Sequence, residues 1–242
     1  MARTRTILVS GLLVFLLALG SMLALSLGLN QVETAEAAGL TSPSNICYFD
    51  PYNGGAESSF YEAMPQGYSF NGSTSTLTIS EGARPLFIWT TRAGDLTVVF
   101  ETDYGYQNSR RYGLFEVPDG SLTLTSSSSV DVYLDCVRCT GDLTVSGGVN
   151  LNVCGLIGST DSSYDVGNLI YAGSKLQVSD DASIIAKDPY LYAKSRQINN
   201  ACIAKCETLY LDTTGSFKVG LYDTTLGSER AAALSLGGSV DL

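Results

Sequence analysis

The sequence predicts an all-β chain in which short strands stack as a β-solenoid, behind an N-terminal hydrophobic helix. Short segments of alternating apolar and polar residues end in turns rich in Gly, Ser and Asp, which is typical of strands. Segments of this kind recur every few tens of residues, a spacing that favours stacked repeats. Beyond residue 38, no long segment has the 3.6-residue period of an amphipathic helix.

Residues 1–37 have the pattern of a signal peptide or a membrane anchor. Arg3 and Arg5 precede an uncharged, mostly apolar run over residues 7–29, and an Ala-x-Ala pattern ends at Ala37. This order predicts secretion with cleavage after Ala37. The run has 23 residues, which is long enough to span a bilayer if it is not cleaved. Both alternatives place the rest of the chain outside the cytoplasm, secreted or at the cell surface.

Residues 38–72 have no clear period, and we expect an irregular arm there. Aromatic residues crowd into this arm, among them Tyr48, Phe49, Tyr52, Phe60 and Tyr61. Tyrosine suits interfaces because its ring is apolar and its hydroxyl group is polar. Asn71 begins an Asn-Gly-Ser sequence, which makes it a candidate for N-glycosylation.

Residues 73–242 form the predicted β-rich repeat domain. Seven leucines lead its alternating segments, spaced by 19 to 33 residues: Leu77, Leu96, Leu122, Leu143, Leu176, Leu209 and Leu234. Repeats of such length usually stack and bury one continuous core. The turns between alternating segments have odd lengths, which suit both a hairpin and a corner of a stacked coil. An antiparallel β-sandwich or jelly roll therefore stays open as the alternative fold.

Two phrases within residues 73–242 resemble secreted parallel β-solenoid proteins, the adhesins and surface filaments. They are Gly-Asp-Leu-Thr-Val-Ser-Gly-Gly at 141–148 and Leu-Gln-Val-Ser-Asp-Asp-Ala-Ser-Ile at 176–184. The resemblance implies a structural or adhesive role at the cell surface. It implies no catalytic residues.

Six cysteines are candidates for disulfide bonds, because an extracellular compartment is oxidising. They are Cys47, Cys136, Cys139, Cys154, Cys202 and Cys206. Cys136 with Cys139 and Cys202 with Cys206 are close enough in sequence to close local loops, and Cys139 with Cys154 is the rival pairing. Zinc held by the two close pairs is a weaker alternative.

Composition excludes several kinds of active site. The chain has no His, so it has no Ser-His-Asp triad, Cys-His dyad or His-ligated zinc. With 24 acidic and 14 basic residues, the net charge of −10 argues against a nucleic-acid partner. Asp is frequent at the turns, where it favours the turn conformation and solubility. We expect no catalytic residues and no cofactor, with calcium at the turn acids as the alternative.

The sequence thus predicts an extracellular structural or adhesive protein that assembles into homo-oligomers or filaments. Candidate assembly residues are the five aromatic residues of the arm together with Leu234, Leu236, Val240 and Leu242 of the last alternating segments. We expect the arm of one subunit to pack on the last strands of the next, with an arm that caps its own domain as the alternative. A secreted carbohydrate-active enzyme or a module that binds a surface glycan is the alternative function. Membrane contact is expected only through residues 7–29, if they are retained.

Overall fold

The computed structural model describes residues 40–52, 57–105, 113–153, 168–188, 202–221, 232–236 and 240–241. The predicted hydrophobic helix, Cys154 and Leu242 lie outside the described residues, and only the backbone is described for Cys202 and for the assembly candidates in 234–240. Residues Ala38–Leu242 form one compact unit. The described residues hold seventeen strands and one 3₁₀ turn, Pro43–Asn45. The prediction of an all-β protein is therefore confirmed.

The strands follow one another closely along the chain. Their bounds are β1 Ile46–Phe49, β2 Ser58–Ser59, β3 Tyr68–Asn71, β4 Thr76–Ile79, β5 Phe87–Thr90, β6 Leu96–Phe100, β7 Gly113–Val117, β8 Leu122–Cys139, β9 Leu143–Val153, β10 Asn168–Ala172, β11 Lys175–Asp180, β12 Ser183–Asp188, β13 Cys202–Cys206, β14 Thr208–Thr213, β15 Phe217–Leu221, β16 Ala232–Leu236 and β17 Val240–Asp241.

The strands from β4 onward pair with one another only in parallel, in three series that we call ladders. The first ladder consists of β4, β6, the start of β8, the start of β9, β11, β14 and β17. The second contains the middle of β8, the end of β9, β12 and β15. The third contains β5, β7, the end of β8, β10, β13 and β16. The antiparallel sandwich and jelly roll do not fit this pairing.

The leading leucines explain the register of the first ladder. Leu96, Leu122, Leu143, Leu176 and Leu209 lie opposite one another on successive strands. Leu77 instead pairs with Val98, and Leu234 lies in the third ladder opposite Ala204. Leu77 is displaced by two residues within the first ladder, and Leu234 joins another ladder. An alternating pattern marks a strand with a buried face, but it fixes neither the register of the strand nor the ladder that it joins.

The turns of odd length are corners between ladders. Val145 and Val149 flank the Ser-Gly-Gly turn of β9, and they pair with Leu124 and Val130 of β8. The backbone of Gly147 has φ +64°, and a Cβ there would overlap the carbonyl oxygen of Ser126. Glycine is therefore required at this corner, because the backbones of β8 and β9 are in close contact there.

A cap covers the first parallel strands, and we define it as residues 40–71. β1 pairs antiparallel with β2 and β5, and β3 pairs antiparallel with β4. Ile46, Phe60 and Tyr68 of the cap are buried in the common core. Where the sequence predicted an irregular arm, the structure has three short strands that pack on their own domain.

The core lies between the inward faces of the three ladders. It consists almost entirely of Leu, Val, Ile, Phe and Ala side chains, and alternate residues of each strand contribute to it. This alternation is the period-two pattern seen in the sequence. Burying aliphatic side chains is the dominant stabilising contribution in such a stack.

Candidate binding surface

Four of the turn acids accept hydrogen bonds from backbone N–H groups of neighbouring strands or turns. The carboxylate of Asp95 accepts a hydrogen bond from Ser121 N at 2.8 Å, and that of Asp142 accepts one from Lys175 N at 3.1 Å. Asp103 accepts one from Asp131 N at 2.8 Å, and Asp180 accepts one from Gly147 N at 3.0 Å. These carboxylates provide acceptors for backbone N–H groups near the turns, which would otherwise lack a hydrogen-bond partner. In the described part of the chain, no three Asp, Glu or Cys side chains are grouped as metal ligands would be.

Strand geometry excludes the two local disulfide bonds. Cys136 and Cys139 lie in β8, where residues three apart point to opposite faces and their Cα atoms are about 10 Å apart. Cys202 and Cys206 are the two ends of β13, about 13 Å apart. A disulfide bond needs Cα atoms about 4.4–6.8 Å apart. Cys47, Cys136 and Cys139 hold free thiols in the structure, and Cys206 is buried at the end of β13.

The two cysteines of β8 lie in different apolar environments. Cys136 packs with Leu114 and Phe87 outside the third ladder, whereas Cys139 lies in the main core. Burial raises the pKa of both thiols, to about 12 for Cys139. Since the two thiols point to opposite faces, they cannot bind the same zinc ion. Cys47 is half-buried, and burial together with Glu57 and Glu62 raises its pKa.

The aromatic assembly candidates of the cap fall into two groups. Phe60 is buried, and Tyr48 packs against the core with its ring 5.2 Å from that of Phe60. Tyr52 and Tyr61 are exposed, at 46% and 73% of their surface, and so is Met64 at 43%. These three are the exposed large apolar side chains of the described residues. Phe49 is half-buried, and its ring lies 6.0 Å from that of Phe87.

Asn71, the glycosylation candidate, is exposed at the end of β3. Its side-chain oxygen accepts hydrogen bonds from Ser73 N at 3.0 Å and from Ser73 Oγ at 2.8 Å. The turn is accessible, so glycosylation of Asn71 stays a prediction.

The outward face of the first ladder carries hydroxyl groups. Two parallel lines of side chains run across β4, β6, β8 and β9: Thr76, Thr97, Thr123 and Thr144 in one, Thr78, Val99, Thr125 and Ser146 in the other. Ser146 Oγ and Thr125 Oγ1 are 3.1 Å apart. Thr and Ser suit the solvent face of a strand, so this face needs no ligand to explain it.

The outward face of the third ladder carries a line of charged and aromatic side chains, which we call the outward row. It consists of Trp89, Glu116, Arg138, Tyr171 and Lys205, on β5, β7, β8, β10 and β13. Each of them lies directly opposite the next in the parallel register. Since neighbouring strands are about 4.8 Å apart, the row is about 19 Å long.

Charged and aromatic side chains of the outward row contact each other. Arg138 Nη1 lies 3.9 Å from Glu116 Oε1, with both side chains about one third exposed or less. Lys205 Nζ lies 5.9 Å from the centre of the Tyr171 ring, within the range of a cation–π contact. Cys47 of the cap pairs opposite Trp89 and extends the row by one strand.

Sequence reasoning missed the outward row. Its members are 22 to 34 residues apart and share no residue type, so no motif marks them. A signal does exist: each lies four to seven residues before one of the leucines that set the register of the first ladder.

No known protein family, curated protein or solved structure matches this chain. In the part of the chain that the structure describes, no helix has the length and apolar character needed to cross a membrane.

Proposed function

We propose that this chain is an extracellular structural and adhesive protein, built as a parallel β-solenoid that is closed at one end by its own cap. The observation that carries the proposal is the register of Leu96, Leu122, Leu143, Leu176 and Leu209 on successive parallel strands. From Leu122 onward, the chain passes through all three ladders before it returns to the first one, which is the path expected of a solenoid. Such a stack gives a long, rigid body that suits a surface scaffold.

The hydrogen bonds that four Asp side chains make favour a structural role over an enzymatic one. Glycoside hydrolysis needs two carboxyl groups that face one substrate. Asp95, Asp103, Asp142 and Asp180 instead accept hydrogen bonds from backbone N–H groups at separate corners. Their place in the molecule is explained by coil stacking.

The extracellular location rests on the N-terminal sequence. Arg3 and Arg5, the apolar run 7–29 and the Ala-x-Ala pattern ending at Ala37 together favour export. Expression of the full gene with a reporter after residue 242 tests this: an extracellular reporter is expected, and a cytoplasmic one would contradict the location.

Self-assembly is the second part of the proposal, and the cap supplies the contact. The strands of the cap are already paired within their own domain, so strand exchange through them would first require their separation. Tyr52, Tyr61 and Met64 remain exposed on the cap. Exposed aromatic and Met side chains are enriched at protein interfaces. We infer that copies associate through this surface of the cap.

Sedimentation velocity and electron microscopy of the purified full chain test the assembly. Oligomers or filaments are expected, and the double variant Tyr61→Ser, Met64→Ser should reduce them to monomers. The matched control Tyr210→Ser changes a tyrosine on the first ladder, outside the cap, and should leave assembly unchanged. A wild-type chain that stays monomeric at high concentration would contradict self-assembly.

A carbohydrate-active enzyme on the same scaffold is the competing function. Incubation with acidic and neutral polysaccharides, with and without calcium, separates the two. Turnover that is lost when Asp95 or Asp142 is replaced by Asn would overturn the structural role.

A further inference from the structure

The outward row is the place where this acidic chain gathers basic and aromatic side chains on one accessible line. Arg138 and Lys205 face a single carboxylate, Glu116, within the row, although the whole chain has a net charge of −10. The ring of Trp89 lies next to Glu116 in the row, and the ring of Tyr171 lies between Arg138 and Lys205. Leu114 and Cys136 on the neighbouring line of outward residues are buried, whereas the members of the outward row are half-buried or exposed.

The basic groups of the row keep binding capacity. Arg138 contacts Glu116 at 3.9 Å, longer than the roughly 2.8 Å of a charge-assisted hydrogen bond. The Nε of Arg138 is buried and has no hydrogen-bond partner among the described residues, while the Arg138 side chain as a whole is 27% exposed. Lys205 is exposed and lies over the Tyr171 ring, and no described carboxylate is within ion-pair distance of its ammonium group. Both cations can therefore bind an added carboxylate.

We propose that the outward row binds an extended acidic polysaccharide, with ligand carboxylates on Arg138 and Lys205 and a sugar ring against Trp89. The row is about 19 Å long, because its members repeat at the strand spacing. A linear chain of sugars with regularly placed carboxylates matches this alternation of basic and aromatic side chains. The inference names a ligand for the adhesive role proposed above, and it does not depend on self-assembly.

Trp89 is the only tryptophan of the chain, so its fluorescence reports on the row itself. The probe is a size-defined oligosaccharide of polygalacturonate, titrated into the purified full chain at low salt. We expect a saturable change in the Trp89 emission, which weakens as the salt concentration rises. A neutral dextran oligosaccharide of equal length should give no such change.

Variants separate the row from the rest of the surface. Arg138→Gln and Lys205→Gln should each lower the affinity about tenfold, since each removes one charge-assisted contact. Lys218→Gln, which removes an exposed charge from β15 of the second ladder, is the matched control and should leave the affinity unchanged. Unchanged thermal unfolding of all three variants shows that the fold is intact.

Three results would overturn the inference: no change in Trp89 emission with the acidic probe, an equal response to the neutral one, or an equal loss of affinity in Lys218→Gln. Assembly is measured separately by sedimentation, so a failure of the binding test and a failure of the assembly proposal can be told apart.

Discussion

The hydroxyl groups of Tyr68 and Tyr104 lie 2.9 Å apart in the buried core, and they connect the cap to the parallel strands. Tyr68 belongs to β3 of the cap, and Tyr104 bridges to Val132 in the second ladder. Tyr68 donates to Arg84 O at 2.6 Å, and Leu86 N donates to Tyr104 at 2.8 Å. Tyr104 therefore donates to Tyr68, and both hydroxyl groups are satisfied away from water.

Replacing Tyr104 by Phe should destabilise the protein through this network. The variant leaves the buried Leu86 N–H without its acceptor, and an unsatisfied buried donor costs about 1–3 kcal/mol. Denaturant unfolding measures the loss. Tyr61→Phe, which removes a hydroxyl group from a side chain that is 73% exposed, should change the free energy of unfolding by less than about 0.5 kcal/mol. Equal effects of the two variants would contradict a role for the buried pair.

Alkaline pH should destabilise the fold from about pH 9 upward. Burial raises the pKa of Cys139 from 9.0 to about 12, so the folded state keeps a proton that the unfolded state loses. The contribution of the buried neutral Cys139 thiol to the free energy of unfolding is fully present below pH 9. It is lost as the pH rises from 9 toward 12. Burial also raises the pKa values of Tyr68 and Tyr104, which extends the loss above pH 10.

Cys139→Ala tests the source of this alkaline effect. The variant lowers stability at neutral pH because it leaves a small cavity, and its stability should fall less between pH 9 and pH 12 than that of the wild type. An identical slope in both proteins, measured by urea unfolding at each pH, would exclude this thiol as the cause.

Thiol chemistry should reveal no local disulfide bonds. In the native protein we expect Cys47 to react with a thiol reagent faster than Cys136 and Cys139, because it is half-buried while they are buried. After unfolding, Cys136 and Cys139 should react as well. Peptide mass mapping that finds a bond between Cys136 and Cys139, or between Cys202 and Cys206, would contradict the strand geometry.

Gly147→Ala should lower the free energy of unfolding more than the same substitution at another glycine with positive φ. Gly82 has φ +85° and meets only the flexible end of Gln66, so Gly82→Ala should cost about 1 kcal/mol of backbone strain. At Gly147 the added methyl group also overlaps the carbonyl oxygen of Ser126. The difference between the two free energies of unfolding isolates the close contact between β8 and β9 at this corner. No difference would mean that β8 and β9 can separate at this corner without cost.

The sequence by itself determined that the chain is all-β and which faces of its strands are buried. Alternation in segments such as Leu143-Thr144-Val145 fixes which side chains face the core, because strand residues two apart share a face. The seven leucines also marked alternating segments that are strands in the structure. Both signals are local, so they can be read without knowing which strand lies beside which.

Only the tertiary structure decided which strands pair, what the cap does and where a binding surface forms. The odd-length turn between Val145 and Val149 fits a hairpin and a corner equally well, and the contact with β8 selects the corner. Cys136 and Cys139 are only three positions apart in sequence, yet they face opposite sides of one strand. The outward row joins side chains from five strands that share no motif, because register between distant segments places them, and register depends on the packing of the whole stack.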